Sequence, residues 1–297
     1  MVNNSEHATS AHTITIGDGL TVGRVGYGAM QLTGAQVWGE YPDREGGIAL
    51  LRGAVEAGVT FIDTADVYGP HSNELLIREA LYPYPSELVI ATKGGFVRGG
   101  FVYSTLSAVG NPDYLRQSAH MSARRLGVEQ IDLYYLHSGQ ATDAPFEDQV
   151  STLAELREQG LIRNIGLSNV TLEQFHAAQA IVPIAAVTAL YNIGNRTGAA
   201  LLGAAEQAGA VFSPWHPVKL GDGGDPERVT ALLEPIAHRH GATLQQVALA
   251  WQLHRSPAAL PIPGTTSPGH LAENLAAQAI ELAAEDVQAI TALVSED

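Results

Sequence analysis

Eight short, apolar, β-prone runs recur along the chain, at 24–30, 59–63, 88–93, 131–136, 162–167, 184–190, 210–214 and 258–262. Amphipathic stretches alternate with them, at 43–57, 72–82, 112–126, 147–159, 172–180, 198–208, 226–240 and 268–277. Most of the runs begin 25–45 residues apart, which is the length a parallel strand needs to cross over through a helix. Eight such units in succession, with no linker-like break, predict an α/β fold of the (β/α)8 barrel type. The alternative architecture is an open doubly wound sheet. Against it, no Gly-x-Gly-x-x-Gly run joins a first strand to a helix; the nearest segment, Gly17-Asp18-Gly19, lacks the third glycine.

Around this repeat the sequence predicts smaller additions. Residues 12–22 alternate about Gly17-Asp18-Gly19 and read as an N-terminal β-hairpin closing one end of the barrel. Extra helices are expected at 243–254 and 284–294, and long loops at 94–111 and 215–225. Residues 1–11 read as a disordered tail, and 12–297 as one barrel domain.

Composition narrows the function. Sixteen Lys and Arg against 31 Asp and Glu give a net charge of −15, which repels nucleic-acid backbones and anionic lipid. The absence of cysteine excludes disulfides, thiolate nucleophiles and iron–sulfur clusters. No apolar run reaches 18 residues, and the start of the chain lacks the basic and apolar regions of a secretion signal. A cytoplasmic location is expected, with no metal. His238 and His240, two apart on a predicted helix, diverge too far to share a ligand. The oligomeric state leaves no mark that the sequence makes legible.

In a barrel of this type, chemistry collects where strands end and loops begin. The second predicted strand ends at Asp63 and leads to Tyr68, the third ends at Lys93, and the fourth ends beside His137. A carboxylate, a phenol, an ammonium and an imidazole should therefore meet at one mouth. Such a set suits reduction of a carbonyl, whose oxygen becomes negative as it accepts hydride and needs a proton. Tyr68 is the proton donor in this reading, and Lys93 lowers the pKa of the phenol. Asp63 anchors Lys93, and His137 orients the substrate oxygen.

These residues stand in runs that resemble the aldo-keto reductase family. The runs are Phe61-Ile62-Asp63-Thr64-Ala65-Asp66-Val67-Tyr68-Gly69, Ala91-Thr92-Lys93-Gly94-Gly95, Tyr134-Tyr135-Leu136-His137 and Ile165-Gly166-Leu167-Ser168-Asn169. The resemblance extends from about residue 12 to 294. It implies a (β/α)8 barrel, NADPH or less often NADH as cofactor, and an Asp63, Tyr68, Lys93, His137 tetrad. It also implies that Gly28, Ala29 and Met30 lie near the nicotinamide ribose, and that Ser168 and Asn169 bind the carboxamide. Phe212 would stack on the nicotinamide, while Ser213, Pro214, Trp215 and His216 would cover the pyrophosphate. Ile262, Gly264, Thr265, Thr266, Ser267, His270, Glu273 and Asn274 would form the adenosine-phosphate site. Trp38, Phe96, Tyr68, His137 and Trp215 are the expected substrate contacts. The first strand and its loop are similar to a bacterial branch of pyridoxal reductase-like enzymes.

The sequence also departs from the family pattern. Thr188 stands where a carboxamide-binding Gln is usual, and Ser138-Gly139-Gln140 replaces the common run after the histidine. Gly264 and His270 stand where many members carry Lys and Arg. The resemblance thus points to reduction of an aldehyde or ketone to an alcohol. Two alternatives use the same residues: a cofactor-binding regulatory barrel with little turnover, and a non-redox acid/base enzyme.

Overall fold

The structure, a computed structural model, describes residues 12–221 and 225–294; the expected tail at 1–11 lies outside the described residues. Two strands open the fold, β1 (Thr13–Ile16) and β2 (Leu20–Gly23), paired antiparallel with Ile16 opposite Leu20. They form the hairpin read from the sequence. The barrel strands follow: β3 (Tyr27–Gly28), β4 (Phe61–Asp63), β5 (Val89–Gly94), then β8 (Ile131–Leu136), β9 (Ile162–Ser168), β10 (Ala186–Leu190) and β11 (Val211–Trp215). They pair in parallel in the order β3-β4-β5-β8-β9-β10-β11.

The eighth position is taken by the run 258–263, which stitches the two edges together without forming a regular strand. Phe212 N–H donates to the Ala258 carbonyl at 2.8 Å and Leu260 N–H to the Phe212 carbonyl at 2.9 Å. On the other side, Gly26 N–H reaches the Pro261 carbonyl at 2.9 Å and Gly28 N–H the Pro263 carbonyl at 3.3 Å. Pro261 and Pro263 lack N–H groups and cannot build a full ladder, which accounts for the irregularity.

Helices α1 (Arg44–Glu56), α2 (Ser72–Leu81), α3 (Pro112–Leu126), α4 (Phe146–Glu158), α5 (Leu172–Gln179) and α6 (Ala199–Ala208) cross over between strands. Helices α7 (Pro226–His240), α8 (Leu244–Arg255), α9 (Pro268–Ala276) and α10 (Ala284–Thr291) complete the described fold. Their starts are written in the sequence. Asn111 and Asp225 accept hydrogen bonds from the first turns of α3 and α7, each with Pro at the first helical position. Thr171 with Gln174, and Thr243 with Gln246, close reciprocal capping boxes on α5 and α8. Each cap contributes about 1 kcal/mol.

Strand alternation divides the side chains into two layers. Ile62, Ile90, Tyr134, Ile165, Leu167, Val187 and Phe212 point outward to the helices. Phe61, Val89, Ala91, Leu133, Tyr135, Ala186 and Val211 point inward, where Ile16, Leu20 and Val22 of the hairpin pack beneath them. The hairpin therefore stoppers the N-terminal end. The Tyr135 ring crosses the interior so closely that a Cβ at position 166 would lie 2.4 Å from it, so only glycine fits there. Above that ring the inward positions become polar.

The segment expected as a long loop at 94–111 contains an antiparallel pair, β6 (Phe96–Arg98) and β7 (Leu106–Ala108). Its glycines at 99 and 100 and its short alternating runs are hairpin signals that the aromatic content obscured. Among the described residues, no helix is long and apolar enough to cross a membrane, and no three His, Asp or Glu side chains form a metal-holding group.

Candidate active site

The inward register that ends in Phe61 and Asp63 on β4, Ala91 and Lys93 on β5, and Tyr135 on β8 leads to His137 directly after β8. All three polar groups thus emerge at the C-terminal mouth, opposite the hairpin. Tyr68 arrives from the turn between β4 and α2. All four residues are at least nine-tenths buried.

The Lys93 ammonium donates to the Asp63 carboxylate and, at 2.8 Å, to the Thr64 carbonyl. It lies 3.4 Å from the Tyr68 hydroxyl and 5.2 Å from the centroid of that ring. The Tyr68 and His137 rings meet edge to face at 6.1 Å, and Phe96 packs edge to face against His137 at 4.8 Å. The structure brings the four expected groups together.

The electrostatics differ from the sequence expectation in one respect. Lys93 was expected to lower the Tyr68 pKa, yet that pKa stands well above its usual value, first because burial disfavours the phenolate and then because Asp63 repels it. The Lys93 charge is largely spent on Asp63, so the phenol keeps its proton. Burial also raises the Asp63 carboxyl, with the attraction of Lys93 opposing it. His137 is pushed well below its usual range by burial and then by Lys93. The imidazole is therefore neutral. Its Nδ1 is buried without a partner, which leaves Nε2 to face the opening.

The opening is a cavity of about 630 Å³ lined by the tetrad and by Met30, Ser168, Asn169, Thr188, Trp215, His216 and Ile262. Its remaining wall is Gln36, Val37, Val67, Phe96, Tyr103 and Leu106. A second cavity of about 180 Å³ shares Met30, Asp63, Tyr68, Trp215, His216 and Ile262, and extends the cleft past Gly28, Gln31, Lys219 and Gly264. At the far end the two barrel edges nearly touch: a Cβ at 264 would lie 2.9 Å from the Gly28 carbonyl.

The other expected cofactor residues divide into those on this cleft and those off it. Asn169, at φ 53, turns back so that its side-chain N–H donates to the His137 carbonyl at 3.3 Å and to Ser168 Oγ at 3.0 Å. The Thr188 hydroxyl donates to the Ser213 carbonyl at 2.6 Å, so only its lone pairs are left for a ligand. Ala29 and Ser213 are buried without lining the cleft, and Pro214 faces away from it. Thr265, Thr266, Ser267, His270, Glu273 and Asn274 lie beyond Gly264, around the start of α9. There Thr265 Oγ1 accepts from Ser267 N–H at 3.0 Å and Ser267 caps the helix.

Two expected placements do not hold. Phe212 is fully buried in the helix-facing layer, against Tyr191 at 5.8 Å, and has no access to the cleft. Alternation along β11 puts Val211 and Ser213 inward, and Trp215, three positions on from Phe212, supplies the aromatic wall. Trp38 stands outside the cavity, partly exposed, with the Arg98 guanidinium 5.3 Å from its ring centroid. Arg98 also donates to the Val37 carbonyl at 3.1 Å and the Gln36 carbonyl at 3.0 Å, and so ties the β6–β7 flap to the loop after β3. The sequence reading missed Gln36, Val37, Val67 and Leu106 as lining residues. Gly34 and Gly39, which bracket the first two, were the available signal.

A closed barrel with a buried carboxylate–ammonium–phenol–imidazole group at its C-terminal mouth defines a class, that of the barrel oxidoreductases. The Aldo/keto reductase family model matches residues 24–295, and the chain belongs to that family of NAD(P)H-dependent enzymes. It is similar to the Uncharacterized oxidoreductase C215.11c of Schizosaccharomyces pombe, 44% identical over 94% of this chain and 88% of that protein. It is 42% identical to the Pyridoxine 4-dehydrogenase of Escherichia coli, over 93% of this chain and 96% of that one. A solved aldo/keto reductase from Klebsiella pneumoniae, in complex with NADP and acetate, superposes with a TM-score of 0.75 at 25% identity, covering 95% of each chain.

Proposed function

We propose that the protein reduces an uncharged aryl or heteroaryl aldehyde or ketone to the alcohol, with NADPH as hydride source and Tyr68 as proton donor. The observation that carries this reading is the shared contact of Lys93 with Asp63 and Tyr68 at the floor of an apolar cleft.

The cleft suits a dinucleotide. It is elongated, Ser168, Asn169 and Thr188 offer polar atoms on one wall, and Trp215 offers a ring on another. The chain has two lysines, Lys93 and Lys219, and both line this cleft. Lys219 brings a positive charge to the same cleft, which suits a phosphate in a protein of net charge −15. Bound there, the reduced nicotinamide supplies the hydride. As charge builds on the substrate oxygen, the Tyr68 hydroxyl gives up its proton to it, and neutral His137 donates a hydrogen bond from Nε2. Lys93 stabilises the phenolate left behind, and Asp63 keeps Lys93 in place.

The substrate class follows from the lining. Val37, Val67, Phe96, Tyr103, Leu106 and Trp215 give apolar and aromatic surface, and the charged groups of the main cavity are Asp63 and Lys93, already paired. Among the described residues, the lining offers a carboxylate or phosphate on the substrate no lysine or arginine beyond the paired Lys93. A pyridoxal-type aldehyde is the first compound to try, given the similarity to a pyridoxine 4-dehydrogenase. Tyr68→Phe should abolish NADPH oxidation with any accepted aldehyde while NADPH still quenches tryptophan fluorescence. Unchanged turnover would overturn the assignment.

A further inference from the structure

We propose that Asp66 is a positioning residue for Tyr68: it holds the turn that presents the phenol through the Ser118 hydroxyl, and its charge adds to the field that keeps the phenol protonated. The inference rests on Tyr68 being the proton donor.

Asp66 lies two residues before Tyr68 but faces the opposite way. Its main chain locks the turn at both ends. The Asp66 N–H donates to the Lys93 carbonyl at 3.0 Å, and its carbonyl accepts from His71 N–H at 2.8 Å. Within the turn, Tyr68 N–H donates to the Ala65 carbonyl at 3.2 Å. The Asp66 carboxylate points behind the site and is 3% exposed. Its Oδ2 accepts from Ser118 Oγ on α3 at 2.6 Å, and Ser118 Oγ lies 3.1 Å from the Tyr134 hydroxyl. Its Oδ1 is buried without a partner.

The charges around it do not balance. Glu74 of α2, fully buried, takes the Arg125 guanidinium of α3 at 2.5 Å and the Thr92 hydroxyl at 2.6 Å. Lys93 of β5 is paired with Asp63. The other titratable neighbours are His71 at the start of α2, Tyr114 of α3, Tyr134 of β8 and Tyr68 itself. Two buried carboxyls thus share one guanidinium, and it sits on Glu74. Asp66 is left with neutral donors, and such a carboxyl retains its proton to unusually high pH. Burial pushes it up to about 7, against the Ser118 hydrogen bond, with further repulsion from Glu74 that the more distant Arg125 charge opposes.

The sign of its effect on Tyr68 is set by charge. Once ionised, Asp66 adds its repulsion to the burial and the Asp63 charge that already keep the phenol protonated. Its protonation at lower pH lifts that restraint and lets the proton leave more easily.

The test is the pH profile of kcat for aldehyde reduction in the wild type, Asp66→Asn and Ser118→Ala, with the Tyr68 phenolate followed by ultraviolet absorbance against Tyr68→Phe. The wild type should show an inflection near pH 7 that Asp66→Asn lacks. In Asp66→Asn the Tyr68 phenolate should appear at lower pH than in the wild type. In Ser118→Ala the inflection should move to higher pH, because the hydrogen bond that favours the carboxylate is gone. No inflection in the wild type, the same inflection in all three proteins, or an unmoved Tyr68 titration in Asp66→Asn would overturn the proposal. If Asp66→Asn does not fold, the direction of the Ser118→Ala shift decides. Turnover by Tyr68→Phe would instead overturn the donor role of Tyr68.

Discussion

The Lys93 ammonium lies 3.4 Å from the Tyr68 hydroxyl while donating to the carboxylate of Asp63, so one buried cation touches both the phenol and the carboxylate. Removing the cation strands the carboxylate. Lys93→Met should cost about 3–5 kcal/mol of stability, the usual penalty for breaking a buried pair. Adding Asp63→Asn should restore part of that loss, because no charge then remains buried. Urea unfolding of the two single variants and the double variant reads this coupling directly. Reductase activity should be lost in all three.

His137 should stay neutral through the range, centred on about pH 6.5, in which a free histidine titrates, since burial and Lys93 both oppose its protonation. Its ring signals in a two-dimensional NMR titration should not move over that range. The sign for stability follows: an unfolded chain takes up a proton at this residue below about pH 6.5 and the folded one does not, so its contribution is lost as the pH falls. His137→Gln should flatten that part of the stability profile and lower kcat by about 100-fold or more.

Trp215 and Phe212 should behave in opposite ways. Trp215→Ala should weaken NADPH binding and remove much of the fluorescence quenching, with a small effect on unfolding. Phe212→Ala should cost about 3–5 kcal/mol in unfolding, as large-to-small changes in a packed core do. Equilibrium titration and thermal melts of both variants separate the two roles.

Gly264→Lys, the change toward the common family residue, should weaken NADPH binding rather than strengthen it. Its Cβ would press on the Gly28 carbonyl, and the two barrel edges would have to part. Tighter binding by the lysine variant would show that the far end of the cleft gives way easily.

The barrel was legible because strand and helix periods alternate eight times, and the tetrad because three of its members end or directly follow successive strands. Phe212 was misplaced because motif position was followed where strand parity should have been: with Val211 and Ser213 facing inward, Phe212 faces the helices. Trp38 was misplaced for a different reason. Its neighbour in space, Arg98, lies 60 positions along the chain, and no local pattern shows that a guanidinium sits between Trp38 and Tyr103. The charge imbalance between Asp66, Glu74 and Arg125 was equally hidden, because it depends on three elements meeting behind the site.

The plug formed by Ile16, Leu20 and Val22 has a consequence for traffic. With the opposite end of the cylinder stoppered, a ligand reaches the buried tetrad from the C-terminal rim and not along the barrel axis from below.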